Sequence, residues 1–170
     1  MTGRDKEILV EKALEARRFS YVPYSGFRVG AALLAKDGRI ITGCNIENAS
    51  YTPTNCAERT AVFKAVSEGI LDFEAIAIAG GPGLEPPGDF APPCGVCRQV
   101  LMEFCDPDRF LVLLCKGDKT WKEFTLAELL IVTGIVAILV AVSIPIMSGQ
   151  VQKAKEVRAK AEARILCMAL

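Results

Sequence analysis

Between Glu128 and Lys153 the chain carries no charged side chain. No other feature restricts its folding as much, because an apolar run of that length must leave water along most of its surface. Leu129 to Gln152 is apolar all round, with no polar face, and a helix of that length crosses a bilayer. A core helix or an oligomer-interface helix is the other destination for such a run. The absence of a polar face favours membrane association through residues 129–152. The run also divides the chain. Residues 1–123 mix both charge signs, as a globular domain does, and residues 124–170 join the apolar run to a charged helical tail.

Over all 170 residues, lysine plus arginine equals aspartate plus glutamate at 20 each. That balance argues against a nucleic-acid partner, which calls for a basic excess. The chain has no histidine. Ser-His and Cys-His catalysis, histidine metal ligands and a histidine pH switch are therefore excluded. Any metal must be held by cysteine or carboxylate. Met1 to Arg18 is charged and amphipathic, without the apolar core of a signal peptide, so the expected location of the first region is the cytoplasm. In a reducing compartment the 7 cysteines read as metal ligands or buried thiols, not as a disulfide framework.

The first region alternates helix and strand signals. Arg4 to Arg18 is an amphipathic helix, broken by Pro23, Ser25 and Gly26. Arg28 to Ala35 suits a buried strand, Lys36 to Arg39 a hairpin turn, and Arg39 to Asn45 the returning strand. Cys56 to Glu68 is predicted helical, with Gly69 as its stop. Glu74 to Ala79 reads as a short strand, Gly80 to Pro93 as a loop, Cys94 to Phe104 as a helix and Phe110 to Cys115 as a strand. A last short strand lies near Trp121. The expected fold class is a three-layer α/β/α mixed sheet followed by a long C-terminal apolar helix.

The chemistry concentrates in two strings, Cys56-Ala57-Glu58 and Pro93-Cys94-Gly95-Val96-Cys97. Cys94 and Cys97 stand three apart at a predicted helix start, which places them on one face. Cys56 also opens a predicted helix, and helix N-termini favour the thiolate that binds metal. Three cysteines suit Zn2+ with one position left open for water, whose pKa then falls to roughly 7. Glu58 is placed to carry a proton between that water and a substrate nitrogen. A structural zinc site is the alternative, with Cys44, Cys105 or Cys115 as a fourth ligand. The glutamate and the adjacent proline fit the catalytic signature of zinc deaminases.

Residues from about Arg4 to Leu130 resemble the small homotetrameric cytidine deaminases. The resemblance rests on Tyr24-Ser25-Gly26-Phe27, Val29-Gly30-Ala31-Ala32, Gly43 through Ala49, Cys56 through Ala61 and Pro93 through Gln99. It implies that Cys56, Cys94 and Cys97 hold Zn2+ and that Glu58 is the proton shuttle. It implies that Asn45 and Glu47 grip the ribose hydroxyls and that Phe27 packs on the pyrimidine. Ala57 matches the group whose backbone reads the base. Tyr51 lies where the family closes the site across subunits. Arg59 is expected to draw charge from a thiolate. The implied reaction is hydrolytic deamination of cytidine and deoxycytidine, a step of pyrimidine salvage, by a tetramer acting on a small nucleoside. A nucleoside antibiotic is the alternative small substrate.

That resemblance stops at Leu130, where the family's proline and intersubunit phenylalanine do not follow. Ile131 to Pro145 instead resembles the N-terminal helix of type IV pilins and pseudopilins. Phe124 to Leu130 matches the opening of that helix, acidic residue included, so one string fits both families. Pilin precursors carry glycine before the opening phenylalanine. Glu123 stands there, so leader cleavage is not expected. This resemblance implies a membrane tether for a cytoplasmic catalytic domain. The competing function is a membrane-inserted pilin-like subunit carrying an inactive deaminase domain.

Overall fold

The computed structural model describes residues 1–168, with side chains through Pro145 and, beyond it, those of Met147, Val151, Lys153, Lys155 and Arg158. By packing, the chain divides into two units, Met1–Leu129 and Leu130–Leu170.

The first unit opens with α1, Gly3–Ala16. Thr2 caps it: Asp5 N–H donates to Thr2 Oγ1 at 3.3 Å, and Thr2 N–H donates back to the Asp5 carboxylate at 2.7 Å. This reciprocal pair satisfies two donors that a helix start leaves open. Leu9, Val10, Ala13 and Ala16 fall on one stripe and are buried. A 3-10 turn, Arg17–Phe19, follows. Then come β1 (Phe27–Ala35), β2 (Ile40–Cys44), α2 (Ala57–Ser67), β3 (Phe73–Pro82), α3 (Gly95–Phe104), β4 (Leu111–Cys115), β5 (Trp121–Thr125) and α4 (Leu126–Met168).

The strands form one sheet in the order β2-β1-β3-β4-β5. Only β3 and β4 run parallel, and α3 lies in the crossover between them. The two faces of the sheet carry different helices. Leu9, Val10 and Ala13 of α1 pack on Ala32, Leu34, Ala75, Ala77, Ala79, Leu113 and Cys115. On the other face α2 approaches the β2 backbone so closely that a methyl on Gly43 would stand 2.4 Å from Ala57 O. Gly30 does the same for α1, where a methyl would meet Ala13 O at 2.1 Å. The expected three-layer α/β/α arrangement is present. Phe27 pairs with Pro82 and Gly30 with Cys44, so β1 begins where β2 and β3 end. The segments leading to α2 and α3 therefore leave from one end of the sheet.

Two sequence expectations change. Gly80, Gly81 and Pro82 belong to β3, not to a loop, because they pair with Val29, Arg28 and Phe27 through the backbone, which needs no apolar side chain. Phe124 and Thr125 belong to β5, paired with Val112 and Leu111, not to the apolar helix. The division by packing falls later, after Leu129. Leu126 and Leu129 are buried in the first unit, at 0% and 8% exposure. Thr125 and Glu128 cap α4 reciprocally: Thr125 N–H donates to Glu128 Oε2 at 2.7 Å and Glu128 N–H to Thr125 Oγ1 at 3.2 Å.

Leu126–Pro145 has a mean hydropathy of 2.6 and is long and apolar enough to cross a membrane. Its polar side chains are satisfied within the helix. Thr133 Oγ1 donates to Leu130 O at 2.8 Å and Ser143 Oγ to Leu139 O at 2.7 Å. Pro145 lies inside the helix. The charged tail from Gln152 to Arg164 is helical in backbone, and most of its side chains lie outside the described residues.

Candidate active site

Two helix starts meet at the end of the sheet where β1 begins. Cys56 is the N-cap of α2 and Cys94 the N-cap of α3, and neither side chain accepts a capping hydrogen bond. Cys97 lies on the first turn of α3 and is buried. The sulfurs stand 3.9 Å apart between Cys56 and Cys94 and 3.4 Å between Cys94 and Cys97, and all three lie within 4.8 Å of one another. Four tetrahedral positions at a Zn–S length of about 2.3 Å put sulfurs about 3.8 Å apart, so the donor set fits zinc. Among the described residues these three form the one group of this kind. Cys44, Cys105 and Cys115 are outside it, so among the described residues no fourth thiol completes a closed structural site.

The electrostatics match a cation site. Cys56 is pushed down to about 5, first by the Cys97 thiol hydrogen-bonding to it and then by Arg59 and the Cys94 thiol. Cys97 is driven strongly upward, because it holds its proton against the neighbouring thiolate and burial. One thiolate thus shares the protons of its neighbours, and a cation removes that conflict. Arg59 Nη2 donates to Cys56 Sγ at 3.8 Å and to Thr54 O at 3.0 Å. Arg59 Nε is buried with no hydrogen-bond partner among the described residues.

Glu58 is 4% exposed. Burial raises its carboxyl to about 6 and the Cys56 thiolate adds to the rise, while Arg59 opposes it. A carboxyl in that range takes and gives protons near neutral pH.

Asn45 and Glu47 face the start of β1, as their spacing predicts. Asn45 Oδ1 accepts from Val29 N–H at 2.8 Å and Nδ2 donates to Phe27 O at 2.9 Å. Glu47 Oε2 accepts from Tyr24 N–H at 3.0 Å and Ser25 N–H at 3.3 Å. The Ser25 side chain, then these amides, hold Glu47 below the usual carboxylate range. Phe27 is 42% exposed, and its ring lies over Gly80 at the end of β3. Ala57 is fully buried against β2. Tyr51 stands apart: it is 84% exposed on a turn, at φ 58°.

Sequence reasoning missed how these residues are held. Ile46 exchanges both backbone hydrogen bonds with Asn55 at 2.9 Å, and Tyr21 bonds to Asn45 and Glu47 across the same segment. Single-residue bridges leave no periodic signal. Arg17 falls within the helix that the sequence pattern predicts, and the structure gives it a further role. It is 5% exposed and donates to five main-chain carbonyls, those of Arg28, Gly81, Pro82, Gly83 and Glu85. It thereby pins the start of the segment that leads to Cys94.

Residues 4–113 match the family model described as the cytidine and deoxycytidylate deaminase zinc-binding region. The chain belongs to this family. It is 53% identical over 127 residues to a cytidine deaminase of Halalkalibacterium halodurans, covering 74% of this chain and 91% of that one. It is 52% identical over 127 residues to a cytidine deaminase of Sporosarcina psychrophila, covering 74% and 88%. The crystal structure of cytidine deaminase from Burkholderia pseudomallei superposes with a TM-score of 0.66 at 41% identity, over 76% of this chain and 96% of that chain. Zinc is the metal this family region binds, and Cys56, Cys94 and Cys97 are the thiols available to hold it.

Proposed function

We propose that the chain is a cytidine deaminase that hydrolyses cytidine and deoxycytidine to uridine, deoxyuridine and ammonia. One observation carries this reading above the others: a buried glutamate, Glu58, poised near neutrality beside three thiols at two helix N-termini. Bound zinc supplies the positive charge that acidifies a water molecule and stabilises negative charge developing on it. Cys56, Cys94 and Cys97 hold it. Glu58 takes the proton of the attacking water and delivers it to N3 of the pyrimidine, then helps ammonia leave from C4. Arg59 and the two helix dipoles draw charge from the thiolates, which keeps the metal electrophilic. Asn45, locked by the β1 backbone, and Glu47, held by the Tyr24 and Ser25 amides just before it, bind the sugar hydroxyls, Phe27 packs on the base, and the backbone of Ala57 reads it. Glu47 is ionised at neutral pH, which suits an acceptor of two hydroxyls.

The active unit is a homotetramer in this reading. Tyr21, Tyr24, Phe27, Ile46 and Tyr51 are all exposed around the site and require cover, and Tyr51 reaches a neighbouring site. The chain combines a deaminase-like module, 1–123, with a pilin-like module, 124–170. The second tethers a cytoplasmic enzyme to a membrane through residues 129–152, supported by a span that is only 6% buried. The same span supports the rival reading of a pilin-like subunit with an inert deaminase domain.

Cytidine turnover by the zinc-loaded chain in mild detergent, followed by the ultraviolet change on uridine formation, decides between them. Turnover that disappears in Glu58→Ala establishes the enzyme. A zinc-loaded chain without turnover places the pilin-like reading ahead.

A further inference from the structure

We infer that Arg98 is a positioning residue that ties the zinc-ligand segment to the first turn of the apolar C-terminal helix. The inference rests on the zinc reading above. Arg98 follows Cys97 on α3, and its guanidinium reaches in two directions. Nε donates to Pro93 O at 2.9 Å, on the peptide that leads into Cys94. Nη1 donates to Leu129 O, at the end of the first turn of α4.

Each end of this link is anchored. Pro93 is fully buried, and its carbonyl belongs to the peptide group whose nitrogen is that of Cys94. Fixing the plane of that peptide fixes the direction from which Cys94 enters α3, and so the placement of its sulfur beside Cys97. Cys94 is the most exposed of the three thiols and has no side-chain cap of its own. Its geometry therefore depends on the backbone before it. The α4 turn is held in place without Arg98. Leu126 N–H donates to Phe110 O at 3.1 Å, Ala127 N–H donates to Pro107 O at 2.9 Å, and Thr125 and Glu128 close the cap. Leu129 O is therefore a fixed point, and a planar two-armed donor transmits that fixity to the Pro93 peptide. The start of the apolar helix is thereby part of the metal site's support.

The test compares the full-length protein with Arg98→Met and Arg98→Lys in mild detergent. Zinc affinity is read by competition with a chromophoric chelator, and site geometry by the thiolate-to-metal absorption of the cobalt-substituted protein. The expected result is a loss of zinc affinity of about 10- to 100-fold in Arg98→Met, as found when groups orienting metal ligands are removed. A weakened and shifted cobalt band accompanies it. Arg98→Lys, which keeps charge but reaches one carbonyl, falls between Arg98→Met and the parent protein. Unchanged affinity and an unchanged cobalt spectrum in both variants overturn the inference. If Arg98→Met does not fold, Arg98→Lys decides by the same two readouts. A parent protein that binds neither metal tightly refutes the zinc reading itself, which is a separate outcome.

Discussion

Two stretches of this chain are almost wholly apolar, and they end in opposite environments. Ala75 to Ala79 of β3 is covered on both faces, with no residue more than 1% exposed. Ile131, Val132, Ile135, Ile138, Leu139 and Ile144 of α4 range from 53% to 66% exposed. The central strand has helices on either side because strands and helices alternate around it in sequence. The side chains described along the long helix have no comparable cover. Apolar composition alone thus states that a segment leaves water, and the surrounding elements decide where it goes.

The sharpest test of that contrast places the same substitution in both stretches. Ile78→Arg puts a charge into the sheet core and is expected to cost more than about 4 kcal/mol, enough to abolish soluble folded protein. Ile138→Arg is expected to leave the thermal transition of the first unit and cytidine turnover unchanged. It should reduce partitioning into phospholipid vesicles roughly 100-fold, from a cost of about 3 kcal/mol per arginine at a helix centre. Equal losses of folding in the two variants would show that α4 is buried by protein, not lipid.

Glu58→Gln keeps the shape of the buried side chain and removes its proton chemistry. Turnover should fall by about 100- to 10,000-fold with zinc content unchanged, read by metal analysis and the uridine assay. Arg17→Met leaves five carbonyls without their donor. It should destabilise the first unit by about 2–3 kcal/mol, lowering Tm by roughly 5–10 °C in a calorimetric scan.

The smallest effect is a difference in thiol reactivity. Burial pushes Cys105 and Cys115 up to about 12, so at pH 7 both stay protonated. Cys56, at about 5, is a thiolate at that pH. Iodoacetamide on the zinc-stripped protein should modify Cys56 first and spare Cys105 and Cys115, as mapped by mass spectrometry. Zinc should protect Cys56.

The thiol cluster was legible because metal chemistry demands particular atoms at short spacing. Cys94 and Cys97 are close by helix geometry alone, and Glu58 is tied to Cys56 by neighbouring positions. The strand β3 was legible at Glu74 to Ala79 and not beyond, since Gly80, Gly81 and Pro82 extend it through backbone pairing alone. The strand character of Phe124 and Thr125 was hidden for a related reason. Phe124 and Thr125 look like a helix opening, but β4 offers them an edge to pair with. A partner strand distant in sequence outweighs a local preference.

The amino-acid sequence by itself determined the chemistry available: thiols but no histidine to offer a metal, one glutamate two residues from a cysteine, and a charge-free run that must leave water. Those properties belong to side chains and their spacing, which do not depend on the rest of the fold. Only the tertiary structure decided that Cys56 meets Cys94 and Cys97, because two helix starts converge at one end of the sheet. It alone buried Glu58 and so raised its carboxyl toward neutrality. It alone turned Arg17 and Arg98 from helix residues into clamps on distant carbonyls, since a long-range hydrogen bond exists only once packing has brought donor and acceptor together.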